Sequence, residues 1–249
     1  MRFNAVPLRE LPPVTKGLAV LFFAGWLGEL AFGSWLNFYF GLVPAAFTGR
    51  LWLWQAATYI FIHADFWHFL FNALMLWMLG RTIEPEMGSR KFLLYFLGCG
   101  AAAALLTVAW DHGSPRPVIG ASGAVYGLLG AFAFLYPNAT VNFYFLFPMS
   151  ARSMAILLGA VEFVMTLART GSKISSVTHL GGLAAGLLWL WGERRWRERP
   201  VYEEPDPAIE EKAEVDRLLE KISVSGQSSL SRSELARLDD YAKRKGGRA

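Results

Sequence analysis

Six runs of mostly apolar residues, set apart by Gly, Pro and charged residues, constrain this chain more than any other feature of its sequence. They extend from about Gly17 to Trp35, Trp67 to Leu79, Phe92 to Trp110, Ser122 to Tyr136, Ser153 to Ala168 and Val177 to Trp191. A helix needs about 20 such residues to cross a bilayer. The longer runs suit single spans, and the shorter ones suit helices enclosed in a bundle or opening into a water-filled cavity. The expected fold is an all-α membrane protein, with a six-transmembrane-helix bundle over residues 15–192 and a short cytosolic segment, 1–14, before it. Composition agrees. Hydrophobic residues make up 54% and charged residues 18% of the chain, against roughly 45–50% and 25% in soluble domains.

The charges are concentrated at one end. Glu193–Ala249 holds 13 Lys/Arg and 13 Asp/Glu, 26 of the 44 charged residues. This marks a linker at 193–207 and a polar tail at 208–249. In the tail Val215, Leu218, Leu219 and Ile222 recur at helical spacing from about Ala208 to Ile222. Ser231 and Glu234 then form a capping-box pair, with Leu230 and Leu235 as its hydrophobic staple. A small helical hairpin is expected. Residues 193–249 are neutral overall, so the net charge of +4 gives no basic face for nucleic acid. One Cys excludes a disulfide framework.

With six spans both termini share a side. Placing them in the cytosol puts Arg2, Arg9, Lys16, Arg81, Arg90, Lys91, Arg152, Arg194, Arg195, Arg197 and Arg199 inside, against Arg50, Arg116, Arg169 and Lys173 outside, as the positive-inside rule favours. No cleavable signal pattern is visible, so the first run reads as a retained helix. Asn37–Asp65, with Trp52, Trp54, Gln55 and Tyr59, reads as a structured loop at the outer membrane surface.

Polar residues inside apolar spans are costly, and each is a functional hypothesis. Here they are His63, His68, Asn72, Ser122, Glu162 and His179. His68 and Asn72, four apart, share one helix face, and His63 precedes them closely enough to join the same wet pocket. Ser122 lies in Gly120-Ala121-Ser122-Gly123, where small neighbours free its hydroxyl. His179 opens the last run, and Gly182 and Gly186 follow it where they would let a neighbouring helix approach closely. If that neighbour is the helix beginning at Ser122, a nucleophile and a general base meet at one depth.

These elements resemble the rhomboid family of intramembrane serine proteases. The Gly-x-Ser-Gly serine, the His-x-x-Gly-x-x-x-Gly histidine two spans later and the upstream His with Asn four residues on all occur in order, over roughly Pro12 to Trp191. Tyr126, four residues after the serine, matches an aromatic placed against the histidine, and Glu84, four after Gly80, also fits. The tail resembles a small domain appended to some bacterial members. Two positions depart from the pattern. Trp54-Gln55 stands where many members have Trp-Arg, and Thr178 replaces a small residue before the histidine.

The resemblance implies an intramembrane serine endopeptidase with Ser122 as nucleophile and His179 as base, a dyad needing no acid. His68, Asn72 and the Ser122 amide would hold the oxyanion, and Gly120, Gly123, Tyr126, Gly182, Gly186 and His63 would support the site. It implies no cofactor, single-pass membrane proteins as substrates, and cleavage near the outer membrane surface in a bacterial inner membrane. Substrate helices that unwind near Gly, Pro or polar residues would be favoured, because an intact helix hides its carbonyls. Phe143–Met149 and the fifth span would flank a lateral opening. Glu162 reads first as a hydrogen-bonding link to a neighbouring helix, and second as a group that handles protons. The alternative is a catalytically silent relative that binds transmembrane clients. A transporter is disfavoured by the lack of an inverted repeat, and a metal site by the lack of acidic residues at ligand spacing from His63, His68 and His179.

Overall fold

The computed structural model describes residues 11–143, 147–168, 173–197 and 207–246. The expected sites at Arg2, Arg9, Arg169 and Arg199, residues 144–146 of the expected opening and most of the 193–207 linker lie outside them. The chain divides into two compact units, Met1–Arg197 and Glu198–Ala249.

Among its described residues the first unit has six long helices, one for each apolar run: α1 (Pro13–Phe32), α5 (Phe66–Met87), α6 (Ser89–Trp110), α7 (Ser122–Leu135), α8 (Ala151–Ala168) and α9 (Lys173–Arg197). Three short helices, α2 (Ser34–Phe40), α3 (Pro44–Gly49) and α4 (Gln55–Thr58), and a single 3₁₀ turn at Tyr59–Phe61 fill the segment between α1 and α5. Helices α1 and α6 are each long and apolar enough to cross a membrane. A third span results if residues 55–61 and α5, which meet at a 100° bend, are counted as one.

Helix α7 forms the middle of the bundle. Ten of its 14 residues are buried, and it packs against α5, α6, α8 and α9. The other five long helices instead turn large apolar side chains outward: Leu21, Phe23 and Leu30 on α1, Trp67 and Phe71 on α5, Leu105 on α6, Phe163 and Leu167 on α8, and Leu188 on α9. An apolar exterior of this extent suits lipid rather than water.

The elements differ from the sequence expectation in three respects. The unit is not wholly helical: β1 (Thr140–Phe143) and β2 (Phe147–Ser150) form an antiparallel ribbon before α8, where the β-favouring Val141, Phe143 and Phe147 cluster. Helix α9 begins at Lys173, and no Gly or Pro lies between Lys173 and His179 to interrupt it; His179 therefore lies inside the helix and does not open it. The first run is broken at Gly33, whose φ of +47° ends α1. Its last residues belong to α2.

Buried polar groups fasten the bundle. Helix α1 has no capping side chain of its own. Its first amides go instead to Glu84 at the far end of α5: Val14 N–H donates to Oε1 at 3.0 Å and Thr15 N–H to Oε2 at 2.7 Å. The Thr15 and Ser89 hydroxyls add bonds of 2.7 and 2.6 Å. One carboxylate thus satisfies helix-start donors and joins α1, α5 and α6. Gln55, fully buried, anchors the loop after α2: its Oε1 accepts from Val43 N–H at 3.0 Å and its Nε2 donates to the Phe38 carbonyl at 3.0 Å. The amide has the acceptor that Val43 in the loop needs and the donor that Phe38 in α2 needs, so the departure from Trp-Arg leaves the loop tied. The Asn37–Asp65 segment is ordered further by stacking of Trp52 on Tyr39 and Trp54.

In the second unit α10 (Pro207–Ser225) and α11 (Arg232–Gly246) form the hairpin. Ser231 N–H donates to Glu234 Oε2 at 2.8 Å and Glu234 N–H to Ser231 Oγ at 3.2 Å, a reciprocal capping box. With Lys221 alongside, these bonds hold the Glu234 carboxyl down to about 2. Val215 and Leu218 are buried on the α10 stripe.

Replacing Glu84 with Ala strands the buried Thr15 amide and the half-buried Val14 amide, and an unsatisfied buried group costs about 1–3 kcal/mol. A clear drop in the thermal midpoint of detergent-purified Glu84→Ala is expected; an unchanged midpoint would contradict the fastening role.

Candidate active site

Ser122 is the first residue of α7. The segment leading to it is held on both sides: Leu42 and Val118 exchange two backbone bonds of 2.8 Å, and Gly120 N–H donates to the Tyr59 carbonyl at 2.9 Å. Gly120 has φ +115°, and a Cβ there would lie 2.5 Å from His68 Nε2. Only glycine both takes this backbone conformation and leaves room for the ring. Because Ser122 opens the helix, its own N–H and those of the next residues have no partner inside it, and they form the positive end of the helix dipole.

His179 comes to Ser122 across a glycine contact. A Cβ on Gly182 would lie 1.8 Å from the Gly123 carbonyl oxygen, and one on Gly186 would lie 2.3 Å from the Tyr95 hydroxyl and 3.0 Å from the Gly127 carbonyl oxygen. Backbones can meet at this distance only where neither residue carries a side chain. Tyr95 O–H donates to the Gly127 carbonyl at 2.8 Å, and the Thr107 and Thr178 hydroxyls bond at 2.7 Å, linking α6 to both partners. Thr178 is therefore accommodated with its hydroxyl satisfied. With the helices in this register, His179 Nε2 stands 2.7 Å from Ser122 Oγ. The Tyr126 ring stacks on the imidazole, 4.4 Å away and 7° from parallel.

The other ring nitrogen, Nδ1, lies 2.7 Å from Glu162 Oε1 on α8. The Tyr126 hydroxyl donates to the same oxygen at 2.8 Å. Sequence reasoning found Glu162 but not this partner. Its signal was a lone carboxylate in an apolar helix, and only the packing of α8 beside α9 shows which group it meets.

His68 is positioned by the start of α5, where Asp65 caps the helix by accepting from His68 N–H at 2.9 Å. Ala64 N–H reaches His68 Nδ1 at 3.4 Å, which leaves Nε2 as the protonated nitrogen, on the side of Gly120. Asn72 is buried and donates through Nδ2 to the His68 carbonyl at 2.8 Å; the amide has a second N–H to offer. His63 does not line an open pocket. Its ring is fully buried between Phe22 and His68, at 5.0 and 5.2 Å, and neither ring nitrogen meets a hydrogen-bond partner.

Residues 50–196, more than half of the chain, match the family model described as the rhomboid domain. The chain belongs to the rhomboid family. Residues 208–244 match a second model, a family of unknown function (DUF6576). Among relatives of this rhomboid, "Rhomboid protein 1, mitochondrial" of Saccharomyces cerevisiae is 31% identical over 137 residues, 53% of this chain and 39% of the yeast protein. "Rhomboid protease GluP" of Bacillus subtilis is 33% identical over 135 residues, 54% of this chain and 25% of that protein. "Rhomboid protease GlpG" of Yersinia pseudotuberculosis is 26% identical over 196 residues, 76% of this chain and 66% of that protein. The chain thus spans well under half the length of the first two.

Gly182→Ala is expected to destabilise this rhomboid by about 1–3 kcal/mol or more, since added carbons in packed cores force backbone shifts. Gly17→Ala, on α1 with nothing within 4 Å of a Cβ, is the control and should leave the thermal midpoint unchanged or raised. Equal midpoints for the two variants would contradict the glycine contact.

Proposed function

We propose that this chain is an intramembrane serine endopeptidase that cleaves single-pass membrane proteins. The observation that carries the reading is the 2.7 Å contact of His179 Nε2 with Ser122 Oγ at the first turn of α7. A serine hydroxyl is a weak nucleophile until a base can take its proton, and a neutral imidazole nitrogen at hydrogen-bond distance is such a base.

Ser122 Oγ attacks the scissile carbonyl carbon as its proton passes to His179 Nε2, and the carbonyl π pair moves onto oxygen. The tetrahedral intermediate collapses to an ester on Ser122, and the departing amine takes the proton from Nε2. Water then attacks the ester, giving a proton to Nε2; the returning proton restores the Ser122 hydroxyl as the acid product leaves. The oxyanion formed in each half is met by the Ser122 N–H at the helix start, by His68 Nε2–H and by the free N–H of Asn72. Losing one preorganised donor of this kind costs about 10²–10³ in rate.

We read the six long helices as six spans with both termini in the cytosol of a bacterial cell, which places Ser122 toward the outer membrane surface. Substrates enter as locally unwound segments, past α8. The tail is an accessory, and a chain ending after Pro200 should still cleave.

The test is labelling of detergent-purified protein with a fluorophosphonate, which needs no substrate. Wild type should label, and Ser122→Ala and His179→Ala should not. A folded wild type that stays unlabelled in detergent and in lipid would overturn the reading in favour of a client-binding rhomboid.

A further inference from the structure

We propose that Glu162 is a positioning residue for His179, so that this protein works with a Ser122–His179–Glu162 triad rather than a dyad; the inference rests on the peptidase reading above. A carboxylate on α8 is expensive. Its helix neighbours Val161, Phe163 and Val164 are exposed apolar residues, and its side chain is only 14% accessible. A link between helices needs one hydrogen bond. Glu162 receives three polar partners: Tyr126 O–H at 2.8 Å, His179 Nδ1 at 2.7 Å and the Ser176 hydroxyl.

The imidazole has two orientational freedoms, the plane of the ring and its rotation within that plane. Tyr126 fixes the plane by stacking at 4.4 Å, and Tyr126 is itself held by Glu162. Rotation is fixed by partners at both nitrogens, Ser122 on Nε2 and Glu162 on Nδ1. The same pairing selects the tautomer. An ionised carboxylate can only accept, so the proton of a neutral ring resides on Nδ1, and Nε2 keeps the lone pair that must receive the serine proton. When Nε2 takes that proton, the imidazolium forms against a carboxylate 2.7 Å away in a mostly enclosed site, where the charge pair is stabilised more than in water. Acid, base and serine come from α8, α9 and α7. The triad is complete only when α8 is seated, which makes the least enclosed helix of the three contribute to the chemistry.

Full-length wild type, Glu162→Gln and Glu162→Ala should be compared for the second-order rate of fluorophosphonate labelling, for kcat and KM on a reporter substrate, and for thermal midpoint. The amide keeps the size of the side chain but can present an N–H to Nδ1 and cannot offset the imidazolium. Triads that lose their acid fall by about 10⁴ in kcat. A loss of about 10²–10⁴-fold in labelling rate and in kcat is expected for Glu162→Gln, with KM and midpoint near wild type. In Glu162→Ala, formate should restore labelling severalfold where chloride at equal ionic strength does not, a response that a purely structural carboxylate would not give. Glu162→Gln labelling within twofold of wild type overturns the triad, as does a folded Glu162→Ala that formate leaves inactive. If the Gln variant does not fold, the Ala variant decides; if neither folds, Glu162 is structural and the proposal fails. Wild type that does not label contradicts the peptidase reading as well, whereas wild type and Glu162→Gln labelling alike sink the triad alone.

Discussion

The close approach of α7 and α9 is the constraint on which the rest of this structure depends. It exists because Gly123 and Gly127 face Gly182 and Gly186, so that two backbones meet where side chains would hold them apart. Within a lipid environment the hydrophobic effect does not drive helix against helix, and close van der Waals packing of small residues takes its place. The register set by these glycines decides where His179 stands relative to Ser122. A shift of one residue would turn the imidazole about 100° around α9 and away from the serine.

Around that seam the polar groups work in pairs that close a geometry and satisfy a buried donor. Glu84 takes the first amides of α1, Gln55 joins α2 to the loop after it, and the Tyr59 hydroxyl donates to the Gly100 carbonyl at 2.8 Å on α6. Each bond would be modest in water. In an apolar bundle each matters more through the cost of leaving its partner bare. His63 is not of this kind: its imidazole is fully buried and packs against the rings of Phe22, His68 and Phe69.

The apolar runs located all six long helices among the described residues of the first unit, because lipid-facing and bundle-facing positions are both apolar and leave a strong signal. Their ends were less legible. Gly33 breaks the first run through a positive φ, and α9 extends past its apolar run at both ends. Ser122 and His179 could be read as one site because the Gly182/Gly186 spacing lets a neighbouring helix come close, and because their order along the chain resembles a known family pattern. The Asn72 bond to the His68 carbonyl and the enclosure of His63 depend on side-chain packing, which periodicity does not encode. Glu162 was visible as a costly carboxylate, yet the sequence separation of 17 residues from His179 conceals that α8 and α9 bring them to 2.7 Å. The β1–β2 ribbon is too short to leave a pattern of its own.

Proteolysis by Ser122 is the central claim, and cleavage of a single-pass reporter in proteoliposomes tests it most directly. Product masses would be read for wild type and for Ser122→Ala, with protein incorporation and folding matched. Two fragments from one peptide bond near one membrane surface are expected for wild type, and intact reporter for the variant. Equal cleavage by both, or none by a wild type that binds the reporter, would contradict the account.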